Sequence, residues 1–89
     1  MRPPEIPPEE WRESIRITKA GYQDVLGWIL FKQGLIEESI DVLGQAAMNS
    51  TQPGVYYHYA EALAAGGYIP KSLRYFKRAA AFGGEISDQ

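Results

Sequence analysis

The sequence has no cysteine among its 89 residues and only one histidine. The lack of cysteine excludes disulfides, a thiol nucleophile and thiolate metal ligands. The lone His58 has Ala62 at position i+4, where a second metal ligand would be needed, so zinc is not expected there. No pairing of a nucleophile with an orienting acid is visible. We therefore expect no catalytic activity, no metal and no cofactor, and we expect His58 to be partly buried between helices.

An excess of charge of one sign is also missing, because 9 basic and 11 acidic residues give a net charge of -2. Nucleic-acid-binding domains are usually clearly basic, so neither nucleic acid nor an anionic membrane surface is an expected partner. No apolar run approaches the roughly 18 residues of a membrane span. Residues 1–11 also lack the apolar core of a signal peptide. These features predict a soluble cytoplasmic protein without membrane insertion.

The length allows one domain with a thin core, and prolines and glycines divide it into segments. Four prolines within residues 1–8 predict an extended leader, for which an unstructured tail and a docking motif are both open interpretations. Pro8, followed by two glutamates, suits the first turn of a helix. Three large apolar or aromatic residues and one threonine then follow at helical spacing and predict a helix over 9–19, which Gly21 either ends or kinks. They are Trp11, Ile15, Thr18 and Tyr22.

From residue 20 onward the sequence repeats itself with an offset of 33 residues. Aligning 20–52 with 53–85 gives seven identical pairs, whereas chance would give about two or three. Small residues also match at Gly27/Ala60, and large residues at Leu43/Phe76. The identical pairs are Gly21/Gly54, Leu30/Leu63, Gly34/Gly67, Ile36/Ile69, Ser39/Ser72, Ala46/Ala79 and Ala47/Ala80. We assign the repeats to 20–52 and 53–84, and an acidic tail to 85–89.

Each repeat is predicted to form two helices, which makes about five helices in all. The first repeat gives helices over 22–33 and 37–49, and the second gives helices over 54–66 and 70–82. Gly34 and Gly67 stand where a left-handed residue would end a helix. Pro53 and Pro70 stand at predicted first turns, where proline is tolerated.

The sequence pattern of both repeats resembles the tetratricopeptide repeat. In the first repeat the resemblance rests on Leu26-Gly27-Trp28 through Gly34, with Ser39 and Ala46. In the second it rests on Pro53-Gly54-Val55-Tyr56-Tyr57-His58-Tyr59-Ala60 with Leu63, Gly67, Ser72, Phe76 and Ala79. The pattern is similar to terminal repeats of some large bacterial tetratricopeptide proteins. It departs from the family in its period, one residue short, in Gln23 at a position often aromatic, and in Thr51 at a position often proline.

This resemblance implies an all-α, right-handed helical solenoid of antiparallel helices that serves as a protein–protein interaction scaffold. The first helix of each repeat would line a concave groove for a peptide or a partner helix. The groove residues implied by the family, taken one by one, are Asp24, Trp28, Phe31, Lys32, Tyr57 and Glu61. An aromatic floor edged by carboxylates would suit an apolar peptide with a basic residue, and would not suit a carboxylate. In the alternative interpretation, Trp28 and Phe31 simply pack against the N-terminal helix.

A second role of a different class remains open, namely a structural subunit of a larger assembly. Basic residues follow helical spacing on the last helix and could meet an acidic surface on a partner or on another copy, although a solvated polar face explains them equally well. This possible assembly face consists of Lys71, Arg74, Tyr75, Lys77 and Arg78. Two repeats are also fewer than the three that stacked repeats usually need, so self-association is possible.

Overall fold

The computed structural model describes residues 7–83. In this range the chain folds into four α-helices without a strand: α1 Pro8–Lys32, α2 Ile36–Met48, α3 Pro53–Ala65 and α4 Ile69–Gly83. The all-α class is therefore confirmed. None of these four helices is both long and apolar enough to cross a membrane. The predicted leader, apart from its last two residues, and the whole predicted tail over 85–89 lie outside the described residues.

The prediction of five helices was wrong, because the segments 9–19 and 22–33 form one continuous helix. Gly21 lies inside α1 and neither ends nor divides it. A glycine in a helix interior costs only about 1 kcal/mol relative to alanine, which the helix-forming residues on both sides outweigh. The start was predicted correctly, since Pro8 opens α1 and Glu9 and Glu10 occupy its first turn.

The two glycine turns have the same backbone geometry. Gly34 and Gly67 are the positive-φ residues of the described chain, with φ of +84° and +90°. The amide that follows each glycine donates to the carbonyl five residues earlier, at 3.0 Å in the first turn and 2.9 Å in the second. This is the Schellman arrangement, in which a left-handed residue satisfies the last carbonyls of a helix. The sequence repeat is thus also a repeat of backbone structure.

Small residues allow the two helices of each pair to approach closely. A Cβ placed on Gly27 of α1 would lie 2.5 Å from Leu43 Cγ of α2, so only glycine fits there. In the second pair, the buried Ser72 hydroxyl of α4 donates to the Ala60 carbonyl of α3 at 2.9 Å. The matched small residues Gly27 and Ala60 therefore both lie at close contacts between the two helices of a pair.

The core lies along α3, which packs against α2 on one side and α4 on the other. Leu43 and Leu63 are its largest fully buried side chains. In contrast, the buried residues of α1 are only Ala20 and Gly27, although α1 is the longest helix. Because α1 packs through its small residues, most of its large apolar side chains stay exposed to solvent.

Candidate functional site

The predicted groove centres on a contact between α1 and α3. His58 of α3 stacks on Trp28 of α1, with ring centroids 4.1 Å apart and planes 21° apart. The Nδ1 atom of the same imidazole lies 2.8 Å from Asp24 Oδ1, also on α1. Both side chains of this pair are largely screened from solvent, with His58 30% exposed and Asp24 19% exposed. One histidine thus ties α3 to two successive turns of α1.

Two further residues of α1 complete this cluster around Trp28. The Phe31 ring stacks nearly parallel to Trp28, with centroids 4.8 Å apart. The ammonium group of Lys32 lies 5.0 Å from the centroid of the Trp28 ring, within the range of a cation–π contact. Phe31 also packs against the core, so the cluster is continuous with the hydrophobic interior. We call Asp24, Trp28, Phe31, Lys32 and His58 the aromatic cluster.

Helical periodicity explains why these α1 residues share a face. Asp24, Trp28 and Phe31 follow the spacing i, i+4 and i+7, which returns to the same side of a helix. The alternative in which Trp28 and Phe31 pack against a separate N-terminal helix is wrong, because residues 9–19 are the upstream part of the same helix. The face instead contacts α3, where His58 stacks on the Trp28 ring.

The two groove residues predicted on α3, Tyr57 and Glu61, make no ring contact, hydrogen bond or ion pair with the residues of the aromatic cluster. Tyr57, 41% exposed, meets Phe76 of α4 edge-on with centroids 5.6 Å apart. Glu61 is exposed and forms no hydrogen bond or ion pair with any described residue. His58, which the sequence placed in no binding role, is the α3 residue that joins the cluster. Its position between Tyr57 and Glu61 on the same helix was the available signal.

The charges of this surface differ from the expected aromatic floor edged by the two carboxylates of Asp24 and Glu61. Asp24 is already engaged by His58, and Lys32 already places a cation over Trp28. Among the predicted groove residues, Glu61 is therefore the carboxylate that pairs with nothing in the described part of the chain. A cationic ligand group would meet its complement at Glu61 rather than over the Trp28 ring.

The possible assembly face on α4 is divided by the structure. Lys71 Nζ lies 5.7 Å from the ring centroid of the buried Tyr59. The Arg78 guanidinium lies 5.5 Å and 5.7 Å from the ring centroids of Tyr56 and Tyr75. These two cations, like Tyr75, cover the aromatic core between α3 and α4.

The other two cations of this set make no ring contact with a described residue. Arg74 and Lys77 are exposed and make no ion pair with a described residue. The predicted set is therefore divided by its contacts, because Lys71 and Arg78 lie over core rings whereas Arg74 and Lys77 pair with no described residue. An assembly role for the exposed pair stays a prediction.

The predicted groove residues line none of three depressions on the described surface. These depressions lie beside the α2–α3 loop, between α2 and α4, and along α1 near Gly21. Residues 7–83 also contain no group of three or more potential metal ligands.

Comparisons with family models, with curated proteins and with solved structures find no match to this chain.

Proposed function

We propose that the two helix pairs are tetratricopeptide-like repeats stacked as a short right-handed solenoid. The support is the 33-residue offset, which relates two turns of the same geometry and two close helix contacts at matched positions. In such stacks each repeat has an apolar face that only a neighbour covers. The exposed apolar residues of α1 and α4 are consistent with this arrangement.

We propose further that the protein binds other proteins, without a catalytic role, through the surface formed by the aromatic cluster, Tyr57 and Glu61. The observation that carries this proposal is the fixed position of the Trp28 ring, which has three neighbours within about 5 Å. A rigid aromatic side chain gives a large contact area with little loss of conformational entropy on binding. Binding sites commonly place such anchors at their centre.

The ligand class follows from the charges of that surface. An apolar or aromatic side chain of the ligand would pack against the rings, and a lysine or arginine would pair with Glu61. A C-terminal carboxylate is disfavoured, because Glu61 would repel it and the nearby Lys32 is already held at the Trp28 ring. We therefore propose an apolar peptide or amphipathic helix with one basic residue.

Selection from a displayed peptide library tests this role. Wild-type protein should enrich sequences that combine large apolar residues with lysine or arginine. The double variant Trp28→Ala with Tyr57→Ala should lose these peptides while its helical circular dichroism is retained. The matched control, Trp11→Ala with Tyr68→Ala, removes the same two ring types elsewhere and should retain binding.

Two outcomes would refute the groove proposal. One is binding of the enriched peptides to the folded Trp28→Ala/Tyr57→Ala variant with unchanged affinity. The other is the absence of any enriched peptide class. In either case the alternative role, a structural subunit that contacts neighbours through the leader and α4, would take its place, with Arg74 and Lys77 as its exposed cations that hold no ring of the core.

A further inference from the structure

The outer side of α1 carries a row of exposed apolar side chains that the groove does not use. Ile15, Tyr22 and Ile29 recur every seven residues and are 49%, 76% and 47% exposed. Thr18 and Val25 lie between them, also exposed, and Trp11 continues the row towards the N-terminus. This 3-4 alternation is the heptad spacing of helices that pair side by side. We call Trp11, Ile15, Thr18, Tyr22, Val25 and Ile29 the α1 stripe.

The α1 stripe faces away from the rest of the molecule. The buried residues of α1 are Ala20 and Gly27, and Gly27 lies against Leu43 of α2. At 100° per residue, the mean direction of the stripe lies about 170° around the helix from these two positions. Another helix could therefore lie along the stripe without meeting α2, α3 or α4.

The stripe is large for a surface that stays in water. Together with its neighbour Leu26, 51% exposed, it presents on the order of 600 Å² of apolar side chain. Monomeric proteins rarely expose much more than a few hundred Å² in one patch. Two such surfaces in contact would bury about 1,200 Å², the lower end of the range for specific protein–protein interfaces.

The order of residues in the stripe is self-complementary when two copies run antiparallel. With the two-fold axis at residue 20, Trp11 faces Ile29 of the other copy, Ile15 faces Val25, and Thr18 faces Tyr22. In each of these facing pairs the two side chains differ in size or are both aliphatic, and none of the pairs brings two charged residues together. Gly21 beside the axis has no Cβ, and a Cβ there would meet nothing within 4 Å, so the two backbones have room to approach.

We propose that the α1 stripe is a homodimer interface, in which two copies of α1 pack antiparallel about a two-fold axis near residue 20. Closed two-fold pairs are the commonest form of protein self-association. The interface is isologous, so one surface serves both copies. The modest buried area predicts a weak dimer that dissociates on dilution into the micromolar range.

The flanking charges give this dimer a distinctive salt dependence. Arg12 and Lys19 border the stripe on one side, and the two-fold axis brings Lys19 near its own counterpart. Added salt screens this like-charge repulsion, so the dimer should tighten as ionic strength rises. An acidic partner protein on the same surface would show the opposite trend, because salt would weaken its attraction to Arg12 and Lys19.

Sedimentation equilibrium of the whole chain, from low micromolar to near-millimolar concentration, tests the proposal. The mass should rise to twice the 10.0 kDa of the monomer and then stop rising. Tyr22→Glu should raise the dissociation constant at least about tenfold, because it places two like charges beside the axis. The matched control Leu73→Glu alters a 55% exposed apolar residue on α4 and should leave the dimer intact.

A mixing experiment tests the register. Ile15→Glu and Val25→Lys should each be monomeric alone, and their equimolar mixture should form a heterodimer, because antiparallel pairing brings the two new charges together. In a parallel pair each new charge would face the unmodified residue of the other variant, so mixing would relieve repulsion without bringing opposite charges together. The mixed pair should then not exceed the wild-type dimer in stability, and its affinity should not weaken with added salt.

Three results would overturn the proposal. The first is a wild-type mass that stays monomeric at every concentration. The second is open-ended growth abolished by Leu73→Glu, which would indicate head-to-tail contact between α1 and α4. The third is failure of the two folded single variants to pair on mixing. Because all these positions are exposed, circular dichroism should show native helicity in each variant.

Discussion

The two helix pairs have the same turn geometry, but different side chains make the close contact between their helices. In the first pair, from residue 22 of α1 to the end of α2, Gly27 allows the fully buried Leu43 to lie directly against the opposite helix. In the second pair, α3 and α4, Ala60 replaces glycine and the matched Phe76 is only half-buried. There the Ser72 hydroxyl spans the contact instead, with a hydrogen bond to the Ala60 carbonyl.

This difference shows which features a sequence repeat conserves. The turns agree to within 6° in the φ of their glycines and 0.1 Å in their closing hydrogen bonds. The side-chain contacts between helices are not the same, because glycine lies opposite leucine in the first pair and alanine lies opposite serine in the second. The geometry of the turn is therefore common to both pairs, whereas the energetics of their helix contacts should differ.

Truncation of the matched large residues should separate the two pairs most strongly. Leu43→Ala removes a fully buried side chain from the core and should lower the free energy of unfolding by about 3 kcal/mol. Phe76→Ala removes a half-buried ring and should cost about half as much. Urea denaturation of the two variants checks the order, and equal losses would show that the two contacts are equivalent.

Substitution of alanine for Gly27 should give the first pair the same residue as Ala60 in the second pair, and should destabilise the protein. Gly27→Ala forces its Cβ against Leu43, and the overpacking should destabilise the protein by about 1–3 kcal/mol. Gly21→Ala, six residues earlier in α1, meets nothing within 4 Å and should stabilise it by about 0.5–1 kcal/mol. Thermal unfolding of both variants decides the matter. A stabilising Gly27→Ala would refute the close contact between α1 and α2.

Removal of the matched hydroxyls should have the smallest effect and should again divide the pairs. The Ser72 hydroxyl bonds across the second pair, so Ser72→Ala should cost about 1 kcal/mol. The Ser39 hydroxyl donates within its own helix, to the Ile36 carbonyl, and Ser39→Ala should change stability by less than half of that. Chemical denaturation measures both, and the reverse order would contradict the interhelical role of Ser72.

Much of the fold could be predicted because glycine and proline mark the helix ends. The predicted starts and ends of α2, α3 and α4 differ from the structure by one residue each. The continuity of α1 was missed, because Gly21 looked like the glycines that end helices. Gly34 ends α1 in a left-handed conformation that Gly21 does not adopt, and the identity of a residue does not reveal its φ angle.

The candidate site was predictable only within each helix. Spacing correctly placed Asp24, Trp28 and Phe31 on one face, because periodicity determines which residues of one helix lie together. It could not reveal that His58 stacks on Trp28, since that contact depends on how α3 lies against α1. For the same reason Tyr57, predicted beside the α1 residues, instead contacts Phe76.

The most direct test of the proposed binding role is a fluorescence titration that observes Trp28 alone. The chain has two tryptophans, so Trp11→Phe leaves Trp28 as the single indole. Titration with a library-selected peptide should shift its emission saturably, with the same dissociation constant that calorimetry gives for wild type. Binding detected by calorimetry without any change in Trp28 emission would contradict a site at the aromatic cluster.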